Sequence, residues 1–107
     1  MSVEPLILVV DDEEHGRQGL RDYLEGCGYD IEDAASGSEA LLKARKNHPD
    51  IIITDLKMPG MDGLELLTKA LNMAPPPTVI VLTAYGSVET AVKAMSRIPR
   101  AISLGVF

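Results

Sequence analysis

Leu6-Ile7-Leu8-Val9-Val10-Asp11-Asp12 is the stretch that decides the fold: five apolar residues without polar alternation, closed by two acids. A run of this length and β-branched content reads as a strand buried on both faces, as in a parallel sheet. Ile51-Ile52-Ile53-Thr54-Asp55 and Val79-Ile80-Val81-Leu82-Thr83 repeat the pattern. Tyr29, Ile31 and Asp33 alternate with polar neighbours, which predicts a more exposed strand at a sheet edge.

Helical patterns fill the spaces between. Leu20, Tyr23, Leu24 and Cys27 recur at i, i+3, i+4 and i+7 and predict a helix with these side chains packed, stopped at Gly28. Ser36 with Glu39 resembles a capping box, opening a helix that buries Ala40, Leu41 and Ala44 and ends by Pro49. Asp62 can cap a third helix with Leu64, Leu67 and Leu71 inward, halted before Pro75-Pro76-Pro77. Ser87 can cap a fourth, with Val88, Ala91, Val92 and Met95 on its stripe. Alternating strands and helices with right-handed crossovers make a doubly wound α/β domain with a parallel sheet.

The bulk numbers bound the function. A chain of 107 residues has room for one small domain. With 46% hydrophobic and 24% charged residues it should fold rather than stay disordered. A net charge of −6 disfavours nucleic-acid binding, which needs clustered Lys and Arg. No apolar run approaches the ~20 residues of a membrane span, and the N-terminus does not read as a signal peptide. The single cysteine, Cys27, fits a reducing, cytoplasmic location.

Ligands of open α/β sheets bind at the carboxyl ends of the strands. Asp11 and Asp12 follow the first run, Asp55 the second of the quoted kind, and Thr83 the last. Taken singly these acids read as caps or solvated loop ends. Together at neighbouring strand ends they read as a site, because clustered carboxylates repel unless a cation or proton compensates. Mg²⁺ suits such oxygen donors and keeps room for a phosphate. A carboxylate can also attack phosphorus as a nucleophile. Glu13 and Glu14 are expected only to favour the start of the first helix. His15 and His48 read as surface residues.

Asp11-Asp12 after its strand, Asp55-Leu-Lys-Met-Pro-Gly-Met-Asp-Gly63, and Leu82-Thr-Ala-Tyr-Gly86 resemble the receiver domain of bacterial two-component response regulators. The run from Thr83 to Met95 further resembles receivers of nitrogen-regulatory, sigma-54-dependent activators. The resemblance implies a flavodoxin-like strand order 2-1-3-4(-5) and makes the chain a phosphoacceptor rather than an enzyme. It makes Asp55 the acceptor, Asp11 and Asp12 the metal-binding acids with the backbone carbonyl of Lys57 as a further Mg²⁺ ligand, and Thr83 the switch hydroxyl. It also implies a sensor histidine kinase as donor.

The likeness covers residues 5–96 of a single domain spanning 1–107, and residues 97–107 depart from it. All 16 acids lie at or before Glu89, whereas the tail carries only Arg97 and Arg100. The last lysine is Lys93, so the lysine that the family carries on its fifth strand is missing, and Arg100 is a poor replacement because a guanidinium is larger and planar. Ile102, Leu104 and Val106 alternate and allow an altered edge strand. With no fifth helix expected, apolar surface should be left uncovered, which predicts a homo-oligomer. A receiver-like interaction module that has lost switching is therefore an alternative to a working phosphoacceptor. A phosphatase of the haloacid-dehalogenase type would place its two acids two residues apart after the first strand, unlike adjacent Asp11-Asp12. DNA binding or ATPase activity would belong to a longer parent protein.

Overall fold

The computed structural model describes residues 5–83 and 101–105. Its elements run β1 (Leu6–Val10), α1 (Glu14–Gly26), β2 (Asp30–Ala34), α2 (Gly37–Asn47), β3 (Ile51–Asp55), α3 (Gly63–Ala70), β4 (Thr78–Thr83) and β5 (Ala101–Gly105). All strands are parallel, in the order β2-β1-β3-β4-β5. The doubly wound α/β class and the 2-1-3-4 order are as expected, β2 lies at an edge, and the tail supplies β5. The expectation of a fourth helix capped by Ser87 falls outside the described residues, as do Lys93, Arg100 and Val106.

Alternation along the strands divides the sheet into two faces. Leu8, Val10, Ile52, Val79 and Val81 join Ala40, Leu41, Ala44, Leu66, Leu67 and Ala70 in one buried cluster under α2 and α3. Burying a leucine of this kind contributes about 1.5–3 kcal/mol. Helices α2 and α3 start where short polar side chains satisfy their first N–H groups. Ser36 Oγ accepts from Glu39 N at 3.1 Å, while Glu39 Oε2 accepts from Ala35 N at 3.2 Å, a variant of the capping box reaching one residue further back. Asp62 Oδ1 accepts from Glu65 N at 2.8 Å. In α3 the central contact is Leu66, not Leu64 or Leu71, which are only half-buried at the edge of the cluster.

The other face carries α1, where the packing expectation fails. None of its residues is fully buried, Tyr23 remains 69% exposed, and Cys27 is an exposed C-cap rather than a packed side chain. The stripe is correctly placed, but one helix cannot close over its own apolar edge. Between α1 and the sheet a groove of about 620 Å³, lined by Leu20, Tyr23, Ile53 and Leu82, reaches Asp11 and Asp55. Among the described residues no helix is long and apolar enough to cross a membrane.

Candidate functional site

Strand register brings the site together. Val10 lies level with Ala34 and Thr54, and Asp55 with Leu82, so β1, β3 and β4 end along one rim. The chain leaves β1 at Asp11 and Asp12 and leaves β3 just after Asp55. One carboxylate oxygen from each of the three residues lies within 4.8 Å of the others. Asp11 and Asp55 are half-buried, and Asp12 is exposed.

Asp11 is held at several atoms. Its N–H donates to Ala34 O at 3.2 Å, and its Oδ1 accepts from Glu13 N at 2.9 Å. Its carbonyl accepts from Arg17 Nη1 at 2.9 Å. Glu13, by contrast, belongs to the helix: Oε1 accepts from His15 N and Oε2 from Gly16 N at 2.6 Å. These bonds, that from Gly16 foremost, hold its carboxyl below the usual carboxylate range. Gly16 leaves room for these carboxylates: a Cβ there would lie 2.8 Å from Asp11 Oδ2 and 3.0 Å from Glu13 Oε2, so a larger residue would displace the ends of both side chains.

Asp55 sits in a differently built corner. Thr54, fully buried, donates from its hydroxyl to Asp55 O at 2.9 Å. Leu56 N donates to Leu82 O at 3.0 Å, extending the ladder, and Gly63 N donates to Leu56 O at 2.8 Å, closing the loop onto β3. A Cβ on Gly63 would strike Asp55 O and lie 2.9 Å from Leu56 Cα, so only glycine permits this closure. Met58 is buried and anchors the loop, and Gly60 takes φ +76°, open to glycine at little cost. Burial pushes the Asp55 carboxyl above its ordinary range, Asp11 and Asp12 push it further, and backbone N–H groups of Leu56 and Lys57 oppose the shift.

Asp11, Asp12 and Asp55 thus converge as the sequence predicted. Lys57 is in the loop two residues beyond Asp55 with its side chain exposed. Thr83 ends β4, but its hydroxyl lies outside the described residues. Its backbone partner in β5 is Gly105, so no ammonium stands opposite it in that strand. Among the described residues no Lys or Arg pairs with the three carboxylates. His15 is exposed, and so is His48, which caps α2 at φ 49°. The sequence reading missed Arg17 and Gly16. A signal existed for the first: a basic residue one turn into the helix after the acid pair returns over the end of β1.

A family model, the response regulator receiver domain, matches residues 7–98. The C4-dicarboxylate transport transcriptional regulatory protein DctD of Rhizobium meliloti is 36% identical over 95 residues, 89% of this chain and 21% of that protein. The transcriptional regulatory protein ZraR of Escherichia coli K12 is 45% identical over 91 residues, 83% of this chain and 20% of that protein. The chain therefore spans about a fifth of the length of these curated relatives. Among solved structures, the chemotaxis protein CheY4 of Vibrio cholerae superposes with a TM-score of 0.85 at 33% identity, covering 96% of this chain and 87% of that one. With the matched motifs lying on the strand ends where the acids meet, the chain belongs to the response regulator receiver domain family.

Proposed function

We propose that this receiver domain takes a phosphoryl group onto Asp55 from a phosphohistidine of a sensor histidine kinase. The observation that carries the reading is the convergence of Asp11, Asp12 and Asp55 within 4.8 Å, with the carboxyl of Asp55 pushed up first by burial and then by its acidic neighbours. Hard oxygen donors without a described cationic partner fit Mg²⁺, with Asp11, Asp12, Asp55 and the carbonyl of Lys57 as its holders. When bound, the ion supplies charge neutralisation between the carboxylates and the phosphoryl oxygens. An Asp55 oxygen attacks phosphorus, the bond from phosphorus to the imidazole nitrogen breaks, and the nitrogen keeps the electron pair and takes up a proton. Thr83 then donates its hydroxyl to a phosphoryl oxygen and biases the β4 end toward an activated arrangement. Incubation with Mg²⁺ and acetyl phosphate, read by intact mass, should add one phosphoryl group. Asp55→Asn should add none, and an unmodified wild type that binds Mg²⁺ refutes phosphoacceptance.

A second reading draws on β5, whose sequence Ala101-Ile-Ser-Leu-Gly105 has no lysine and sets glycine opposite Thr83. It makes the chain an interaction module that binds partners without switching. Amide hydrogen exchange of the phosphorylated and unmodified forms separates the two, since a switching domain changes protection around β4. The groove beside α1 supports self-association in either case. Light scattering across the micromolar range should show a dimer or larger, and a monomer throughout counts against it.

A further inference from the structure

The carbonyl of Asp11 points beyond the strand ladder, and the bond it accepts comes from Arg17 Nη1 at 2.9 Å. The same guanidinium donates from Nε to Asp33 Oδ2 at 3.2 Å. Asp33 is itself tied: Oδ1 accepts from Arg21 Nη1 at 3.0 Å, and its backbone carbonyl accepts from Lys43. Arg17 and Asp33 are only 18% and 24% exposed, so water competes weakly for these bonds. The result is a chain of contacts from α2 through β2 and α1 to the backbone of the first acid.

We propose that Arg17 is a positioning residue for the acidic cluster: braced by Asp33, it fixes the Asp11 backbone so that the carboxylate stays among its like-charged neighbours and ready for a divalent cation. This rests on the phosphoacceptor reading of the site but concerns a residue that lies outside the metal-holding set. Three carboxylates within 4.8 Å of one another repel and favour splaying of the strand end. Asp11 Oδ1 is already tied to Glu13 N, so a shift of the Asp11 backbone would move both the carboxylate and the start of α1. A planar fork can meet Asp33 and the Asp11 carbonyl together, and a lysine ammonium cannot reproduce that geometry.

The sign of one measurement separates position from charge. Arg17 is a cation near a cation site, so by charge alone its removal should tighten Mg²⁺ binding. By position its removal should weaken it, by about tenfold, as loss of outer partners of metal ligands does. Isothermal titration of Mg²⁺ into the full chain should show weaker binding for both Arg17→Ala and Arg17→Lys, with Asp33→Asn following them. Lys69→Ala, remote on α3, should match wild type. Hydrogen exchange without metal gives a second readout: the Glu13 amide, bonded to Asp11, should exchange faster in Arg17→Ala than in wild type while thermal unfolding remains cooperative. Affinity in Arg17→Ala equal to or tighter than wild type overturns the proposal, as does rescue by lysine. Wild type that does not bind Mg²⁺ sinks the phosphoacceptor reading instead, and unchanged Glu13 exchange then sinks this one too.

Discussion

Replacing Asp55 by asparagine removes one of three crowded charges while keeping the side chain's shape, so the site's electrostatic cost can be read as stability. At a separation of 4.8 Å, two unit charges repel by about 0.9 kcal/mol in bulk water and about 3.5 kcal/mol at an effective dielectric of roughly 20. Asp12 is exposed and the site opens to solvent, which places the value toward the water end, and salt screens it further. Two neighbours then give Asp55→Asn a gain of about 1–2 kcal/mol at pH 7 in EDTA. For a domain of this size that raises the melting temperature by at least about 4 °C. The pH dependence has a fixed direction. Folding raises the Asp55 pKa, so its neutral form is stabilised by the fold; that contribution is complete below the unfolded pKa and is lost as pH rises through the folded value. The advantage of the variant over wild type should therefore be absent in acid and grow toward neutrality. Mg²⁺ at about tenfold above its dissociation constant should stabilise wild type by about 1.4 kcal/mol and close the gap. Thermal melts of both proteins across pH, with and without Mg²⁺, make the comparison. A variant no more stable than wild type at pH 7 in EDTA, or one whose advantage persists unchanged in acid, refutes the account.

Gly63→Ala should destabilise by about 1–3 kcal/mol in urea unfolding, because its Cβ meets the backbone of Asp55 and Leu56 rather than a movable side chain. Leu66→Ala, emptying a fully buried position under α3, should cost about 2–5 kcal/mol by the same measurement with cooperativity kept. His48→Gly should gain about 0.5–1 kcal/mol, since the αL cap strains a side chain and the imidazole is exposed; a loss would show that the ring makes a stabilising contact.

The parts of this protein that were legible in advance are those in which one residue type has one physical use. Continuous β-branched runs mark strands buried on both faces, and acids placed directly after them must meet once those strands are parallel and level. Ser36 and Asp62 announce helix starts because a short oxygen can reach a backbone N–H three residues on. Less legible was how completely each stripe would be covered. Periodicity placed Tyr23 and Cys27 on the inner side of α1, yet their exposure depends on what else packs there, which spacing does not encode. The choice of Leu66 over Leu71 at the centre of α3 turned on where that helix ends, at Ala70. Arg17 was missed because its role needs a third residue, Asp33, that is distant in sequence and adjacent only after β2 pairs with β1.

The absence of any fully buried residue in α1 gives that helix a low local unfolding free energy. Elements of this sort exchange their amides through openings that leave the rest of the domain intact. Yet α1 carries the arginine that grips Asp11, so each opening of the helix also loosens the acid pair. A cation bound between the carboxylates would then slow amide exchange along α1, including around Tyr23 near its C-terminal end. Occupancy at the strand ends would be readable on the domain's outer surface as a change in the lifetime of one helix, with no displacement of its mean position.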